Sequence, residues 1–173
     1  MTMAEIERTR ERERPPFQEN PYERILAYRR ALRERNLTGP VVVKSGDREM
    51  SQARQGRLKF FLDPLSFKET PLQHWRVFMH EIKTRSGKHT HQGGLVIYVI
   101  EGKGYSVIDG ERIDWAKGDL VLLPMKPEGV EHQHFNLEPE KPCLWIAFIH
   151  LPIIEHLASD LQQREASPDF KEG

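Results

Sequence analysis

The sequence has one cysteine, no net charge and no long apolar run, and each lack removes a class of protein. Cys143 alone excludes an internal disulfide. Its place in the apolar run 143–149 makes it a buried structural thiol rather than a nucleophile. The 26 lysines and arginines are balanced by 26 aspartates and glutamates. Charge therefore calls for neither nucleic acid nor an anionic membrane as a partner. No apolar stretch nears the ~20 residues that span a bilayer, and the N-terminus is charged rather than apolar. A soluble cytoplasmic protein is expected. At 173 residues, the chain suffices for one domain with a few attachments.

What is present falls into four stretches. Residues 1–19 begin with alternating Glu and Arg and reach Pro15-Pro16, which reads as a charged, flexible arm. Residues 20–40 read as a helix. Asn20 caps it, Pro21 suits its first position, and Tyr22, Ile25, Leu26, Arg29 and Leu32 trace a narrow face before Gly39-Pro40 stops it. Residues 41–164 read as many short strands with tight turns and a closing helix, and 165–173 as a polar tail. Strands are expected at 41–43, 58–62, 95–100, 105–108, 111–115, 120–123 and 144–150, and a polar loop at 51–56. Asp109-Gly110 is a hairpin signal. The continuously apolar run 95–100 suggests a strand covered on both faces. Gly102, Gly104 and Gly110 read as turn residues. Pro152 opens the closing helix, whose stripe is Ile153, Ile154, Leu157 and Leu161.

The run 73–83 is extended but ambiguous. Trp75, Val77, Met79 and Glu81 alternate with Arg76, Phe78, His80 and Ile82, and either set can face the core. With the second set inward, Arg76 and His80 line a cavity. Short strands, glycine turns, no repeated βα unit and helices only at the ends together indicate an all-β sandwich or barrel.

The chemistry concentrates between Lys88-His89-Thr90-His91 and Glu131-His132-Gln133-His134-Phe135-Asn136. Histidines at i and i+2 share one face of a strand. His132 joins them from far along the chain, as in a barrel that brings distant strands together. Neutral imidazoles converging on one spot are ordinary ligands for a divalent transition metal.

The order His-x-His, apolar strand, Glu-Gly-x-Gly, Asp-Gly, Gly-Asp, Pro and His-x-x-x-Asn resembles the cupin superfamily. That resemblance covers roughly residues 75 to 150. It implies a double-stranded β-helix, or jelly-roll barrel, here with an N-terminal helical extension and a short C-terminal helix. The first cupin motif runs from Gly87 through Gly104 and the second from Gly118 to Asn136. The family's metal-binding glutamate stands four residues after the second histidine; here that position is Leu95. The resemblance thus implies a three-histidine site of His89, His91 and His132, without a carboxylate.

Among cupins the pattern is similar to the gentisate and salicylate type of ring-cleaving dioxygenases, whose second motif has the same His-x-His-x-Asn string. Those enzymes carry two cupin units per chain, and this sequence shows one. The implied cofactor is Fe(II), with Mn, Ni and Zn also matching the donor set. The implied substrate is a hydroxylated aromatic or enolic carboxylate that chelates the metal beside dioxygen. By strand parity His134 and Asn136 join His132 on the inner face, where they support a ligand ring or bound oxygen. Arg76 is the candidate for a substrate carboxylate, since a guanidinium grips one in two places. Two other functions fit the sequence: a non-enzymatic cupin that senses a small ligand, and a metal-dependent isomerase or hydrolase-like cupin. No nucleic-acid or membrane partner is expected. A homodimer is, because many cupins pair in this way.

Overall fold

Tyr22 N donates to Asn20 Oδ1 at 3.0 Å, so the first element starts on a side-chain cap with Pro21 at a position that needs no donor. The computed structural model describes residues 20–138 and 140–171. Helix α1 spans Pro21–Thr38. Chain contacts divide the protein into two units, Met1–Thr38 and Gly39–Gly173. The arm expected over 1–19 and the last two residues of the tail lie outside the described residues.

Among the described residues the second unit contains eleven strands. These are β1 (Ser51–Ala53), β2 (Gly56–Leu62), β3 (Trp75–Ile82), β4 (Lys88–His91), β5 (Leu95–Glu101), β6 (Lys103–Ile108), β7 (Glu111–Ala116), β8 (Leu120–Leu123), β9 (Val130–Asn136), β10 (Cys143–His150) and β11 (Leu161–Glu165). A short helix α2 (Leu151–His156) precedes the last strand. They form two antiparallel sheets, ordered β1-β2-β3-β10-β5-β8 and β11-β4-β9-β6-β7. This is the expected all-β jelly roll.

Period-two alternation builds the core between the sheets. Leu95, Ile97 and Val99 of β5 point inward with Phe78, Val121, Leu123, Trp145 and Ala147, and meet Trp115 and Val130 of the other sheet. On β3 the inward set is Phe78, His80 and Ile82, which resolves the ambiguity of that run. At the β6–β7 hairpin, Asp109 and Gly110 both have positive φ, 51° and 87°, as the turn matched to sheet twist requires.

Several expectations need correction. Residues 41–43 form no strand; Val41 is 98% exposed, because three β-branched residues cannot make a strand without a neighbour to pair with. The polar stretch 51–56 is a hairpin, with Ser51 opposite Leu58 and Ala53 opposite Gly56. The run 95–100 is covered on one face only, and Val96, Tyr98 and Ile100 stay exposed. Gly104 is no turn residue. It lies in β6, where a Cβ would strike Phe135 O and the Trp115 ring. The closing helix stops at His156. Ala158, at φ 48°, reverses the chain, and Leu161 enters β11, paired to the edge of β4.

Candidate metal centre

Strand order brings the histidines together. β4 lies between β11 and β9, and His89 is the register partner of His132, so both rings project from the same face of the sheet. His91 follows two residues after His89. Ring centroids stand 4.2 Å apart for His89 and His132, 4.8 Å for His91 and His132, and 5.6 Å for His89 and His91. One ligand atom from each of the three lies within 4.8 Å of the others.

The local environment keeps these rings neutral. Burial, and secondarily the charge His91 would carry, lowers His89 to about 4. Burial also lowers His91. His132 is pushed well below its ordinary value by burial first, then by His89, His134 and His91. Neutral imidazole is the form that donates a lone pair to a metal. His132 Nδ1 lies 3.0 Å from Val130 O, and His89 Nδ1 lies 3.4 Å from Gly87 O. These contacts put the ring protons on Nδ1 and leave Nε2 as the ligating atom. His91 differs: Gly93 N–H donates to its Nδ1 at 2.9 Å, which places its own proton on Nε2. For Nε2 to ligate, that proton moves to Nδ1 and the Gly93 contact is released. Three neutral imidazoles suit a divalent metal, and no carboxylate joins this group among the described residues.

The site opens into a cavity of about 360 Å³. His89, His91 and Leu95 line it beside apolar Phe60, Phe78 and Ile149, with Arg76 and Asp63 on a polar flank. Leu95 therefore stands at the centre as hydrocarbon, where the resemblance led one to look for a carboxylate. Arg76 lines the cavity. Its Nε donates to Asp63 Oδ1 at 3.2 Å, while Ser66 Oγ donates to Asp63 Oδ2 at 2.7 Å.

The other expected site residues divide. His134 is fully buried beside His132, with ring centroids 5.4 Å apart, and its Nδ1 lies 2.7 Å from Ser106 Oγ. Ser106 Oγ in turn accepts Trp115 Nε1–H at 2.9 Å. Asn136 is engaged elsewhere. Its Nδ2 donates to the carbonyls of Lys83 at 2.8 Å and Lys141 at 2.6 Å, and its Oδ1 accepts Glu138 N at 2.7 Å. The expectation that it supports a ligand ring or bound oxygen gives way to a backbone clamp. His80 is buried behind the cavity, its ring 4.7 Å from that of Trp145 and its Nε2 against Gly56. Burial lowers it to about 3.

Sequence reasoning missed two parts of the cavity. Asp63 directly follows the strand expected at 58–62, and Asp-Pro with a serine three residues on is a signal for a side chain folded back on a turn. Ile154, Ser159, Asp160 and Leu161, from the α2–β11 segment, form a further wall. By spacing alone Ile154 and Leu161 fit the apolar stripe of the closing helix.

Residues 77–149 match the family model described as Cupin domain, and the jelly roll and histidine set resemble that class. Within that class the chain resembles the gentisate and salicylate dioxygenases. A gentisate 1,2-dioxygenase of Ralstonia sp is 31% identical over 70 residues, 40% of this chain and 19% of that relative. The chain thus spans about a fifth of the length of the curated relatives it matches. Salicylate 1,2-dioxygenase from Pseudoaminobacter salicylatoxidans, in its adducts with gentisate, superposes with a TM-score of 0.51 at 19% identity, over 86% of this chain and 38% of that one. Streptomyces PAC13 with uridine shares the fold at a TM-score of 0.52 and 12% identity, over 74% of this chain and 94% of that one.

Proposed function

We propose that this chain is an iron(II) dioxygenase that cleaves a chelating hydroxylated aromatic or enolic carboxylate. The observation that carries the reading is the convergence of three neutral imidazoles on a mostly apolar cavity with one arginine on its flank. The sequence similarity to gentisate 1,2-dioxygenase supports it. His89, His91 and His132 would hold the metal. Bound there, iron(II) supplies the redox chemistry that dioxygen and an aromatic ring lack on their own. The chain does the rest. Arg76 spends its Nε on Asp63, which leaves the terminal nitrogens to take a substrate carboxylate. Phe60, Phe78 and Leu95 flank the ring and exclude water. His134, held by Ser106, packs beside His132 and fixes that ring's orientation.

Manganese, nickel and zinc accept the same donors. A cytoplasmic location accords with a ferrous centre and the unpaired Cys143. The reading includes a homodimer. On the outer face of the larger sheet, Phe148, Val96 and Leu122 form one cross-strand row, and Ile146, Tyr98 and Leu120 form the next. Neither row carries a charge, and a second copy presents the same uncharged face in a two-fold pairing. Leu122→Glu then yields a monomer in sedimentation, whereas an unchanged mass for that variant rejects the interface.

The function is tested by elemental analysis of anaerobically purified protein, followed by an oxygen-electrode screen of hydroxylated aromatic acids. Iron and substrate-dependent oxygen uptake are expected in the wild type, and both are lost in His91→Ala with its β-sheet circular dichroism intact. Full oxygen uptake by that variant sinks the reading. A wild type that binds such acids without consuming oxygen is a sensor, and one that converts them without oxygen uses its metal as a Lewis acid.

A further inference from the structure

The segment that follows the last barrel strand is tied to the ligand strand at several points. Ser159 Oγ donates to Gln92 Oε1 at 2.6 Å, and Asp160 N donates to the same oxygen at 2.8 Å. Gln92 comes directly after His91. Beyond that tie, β11 pairs antiparallel with β4, with Leu161 opposite His91 and Gln163 opposite His89. Register partners on neighbouring strands project their side chains from the same face. Leu161 is therefore the lateral neighbour of His91 at the cavity. Upstream, Ala158 at φ 48° folds the chain back from α2 and brings Ile154 to the same wall.

We propose that this C-terminal segment, 151–165, is the specificity wall of the pocket, with Ile154 and Leu161 setting the size of the substituent a substrate ring can carry. The proposal rests on the reading of the site as one that binds a chelating aromatic carboxylate.

The two sides of the cavity differ in chemistry. Elsewhere the cavity is lined by the charged pair Arg76 and Asp63. On the segment itself the one carboxylate that lines the cavity is engaged internally: Asp160 Oδ1 accepts Leu161 N at 2.8 Å, and Oδ2 accepts Gln162 Nε2 at 2.7 Å. Ser159 is spent on Gln92. What remains to meet a ligand is the hydrocarbon of Ile154 and Leu161, so this wall reads shape and not charge. Ile154 is half-buried and Leu161 is 58% exposed, which places Leu161 at the mouth. A substrate held by its carboxylate at Arg76 and its chelating oxygens at the histidines has this hydrocarbon, beside His91, left to meet the edge of its ring. The substrate class that follows is a 2-hydroxyaryl monocarboxylate bearing a small apolar group away from the acid.

The wall is also indexed to the metal site. Because its tethers run to Gln92 and β4, it keeps its distance from His89 and His91 even if the rest of the barrel relaxes. Size selection is accordingly sharp, since one methylene in a fitted apolar pocket changes affinity about tenfold or more.

The test is anaerobic titration calorimetry of the full chain, metal-loaded as purified, with salicylate and its 5-methyl, 5-ethyl and 5-propyl derivatives. Leu161→Ala is expected to improve binding of the propyl compound about tenfold relative to salicylate, and Ile154→Phe to weaken it by a similar factor. Leu161→Met, which conserves volume, keeps the wild-type profile and controls for folding. If every variant shifts salicylate and its derivatives by one common factor, the segment is only a support and the proposal falls alone. If wild type binds none of the four acids, the functional reading fails and this proposal with it.

Discussion

His89 and His132 are register partners on adjacent strands, and their ring centroids stand 4.2 Å apart. Two imidazolium ions at that separation in a desolvated site would repel strongly, so the fold holds both rings neutral. The barrel has thus traded the option of protonation for a set of lone pairs.

That trade predicts an acid limb to stability. His89 titrates near 4 and His80 near 3 in the folded chain, below the ordinary value of 6.5. As pH falls, the unfolded chain takes up protons first. The stability is complete above about pH 6.5 and is lost progressively down through the folded values, by up to about 1.4 kcal/mol per pH unit for each histidine. Urea unfolding at pH 7.5 and pH 5 measures this, and equal free energies at the two values contradict it.

Ser106 is expected to matter more than its size implies. It is fully buried and serves both Trp115 Nε1 and His134 Nδ1. Ser106→Ala strands both groups at a cost of about 1–3 kcal/mol each. Thermal unfolding of the apo protein reads the loss directly, and a melting temperature within a degree of wild type refutes the relay.

Asn136 is expected to act on the fold and not on the metal. Its amide binds main-chain groups of Lys83, Glu138 and Lys141, the last two in the connection from β9 to β10, and its Oδ1 also accepts Cys143 Sγ at 3.0 Å. Asn136→Ala should lower stability by about 1–3 kcal/mol and leave metal stoichiometry unchanged. Loss of metal at wild-type stability would show instead that the side chain serves the centre.

Arg76 separates binding of substrate from binding of metal. Arg76→Met keeps the hydrocarbon stem but removes the guanidinium, so metal content holds while affinity for hydroxylated aromatic acids falls about tenfold or more. The metal content is read by elemental analysis and the affinity by anaerobic calorimetry. Unchanged affinity would free Arg76 from any role beyond its pair with Asp63.

How much of this was legible in the residue order depends on the range of the forces involved. Asp109-Gly110 specified its hairpin because positive φ at two successive positions is a local demand that few residue pairs meet. The strands of β5, β8 and β10 were legible because runs of branched and aromatic side chains favour extended chain wherever they pack. Failures came where the outcome lay with a partner strand. Val41 to Val43 have strong strand character and no neighbour, while polar Ser51 to Ala53 has little and is paired with β2. Leu161 fits a helix stripe by spacing, yet the open edge of β4 claims it.

The candidate centre divides along the same line. His-x-His on a strand, a distant His132 and hydrocarbon at Leu95 were determined by the sequence itself, since side-chain parity along a strand follows from backbone geometry alone. Only tertiary structure decided that Phe78, His80 and Ile82 face inward while Arg76 reaches the cavity, because alternation alone lets either set of that run meet a core. It also decided that Asn136, on the same parity as His132, turns to the carbonyls of a loop that strand periodicity cannot see. The wall of Ile154 and Leu161 belongs to the same category: it exists because a free strand edge beside His91 had unpaired backbone groups to satisfy, and the end of the chain satisfies them.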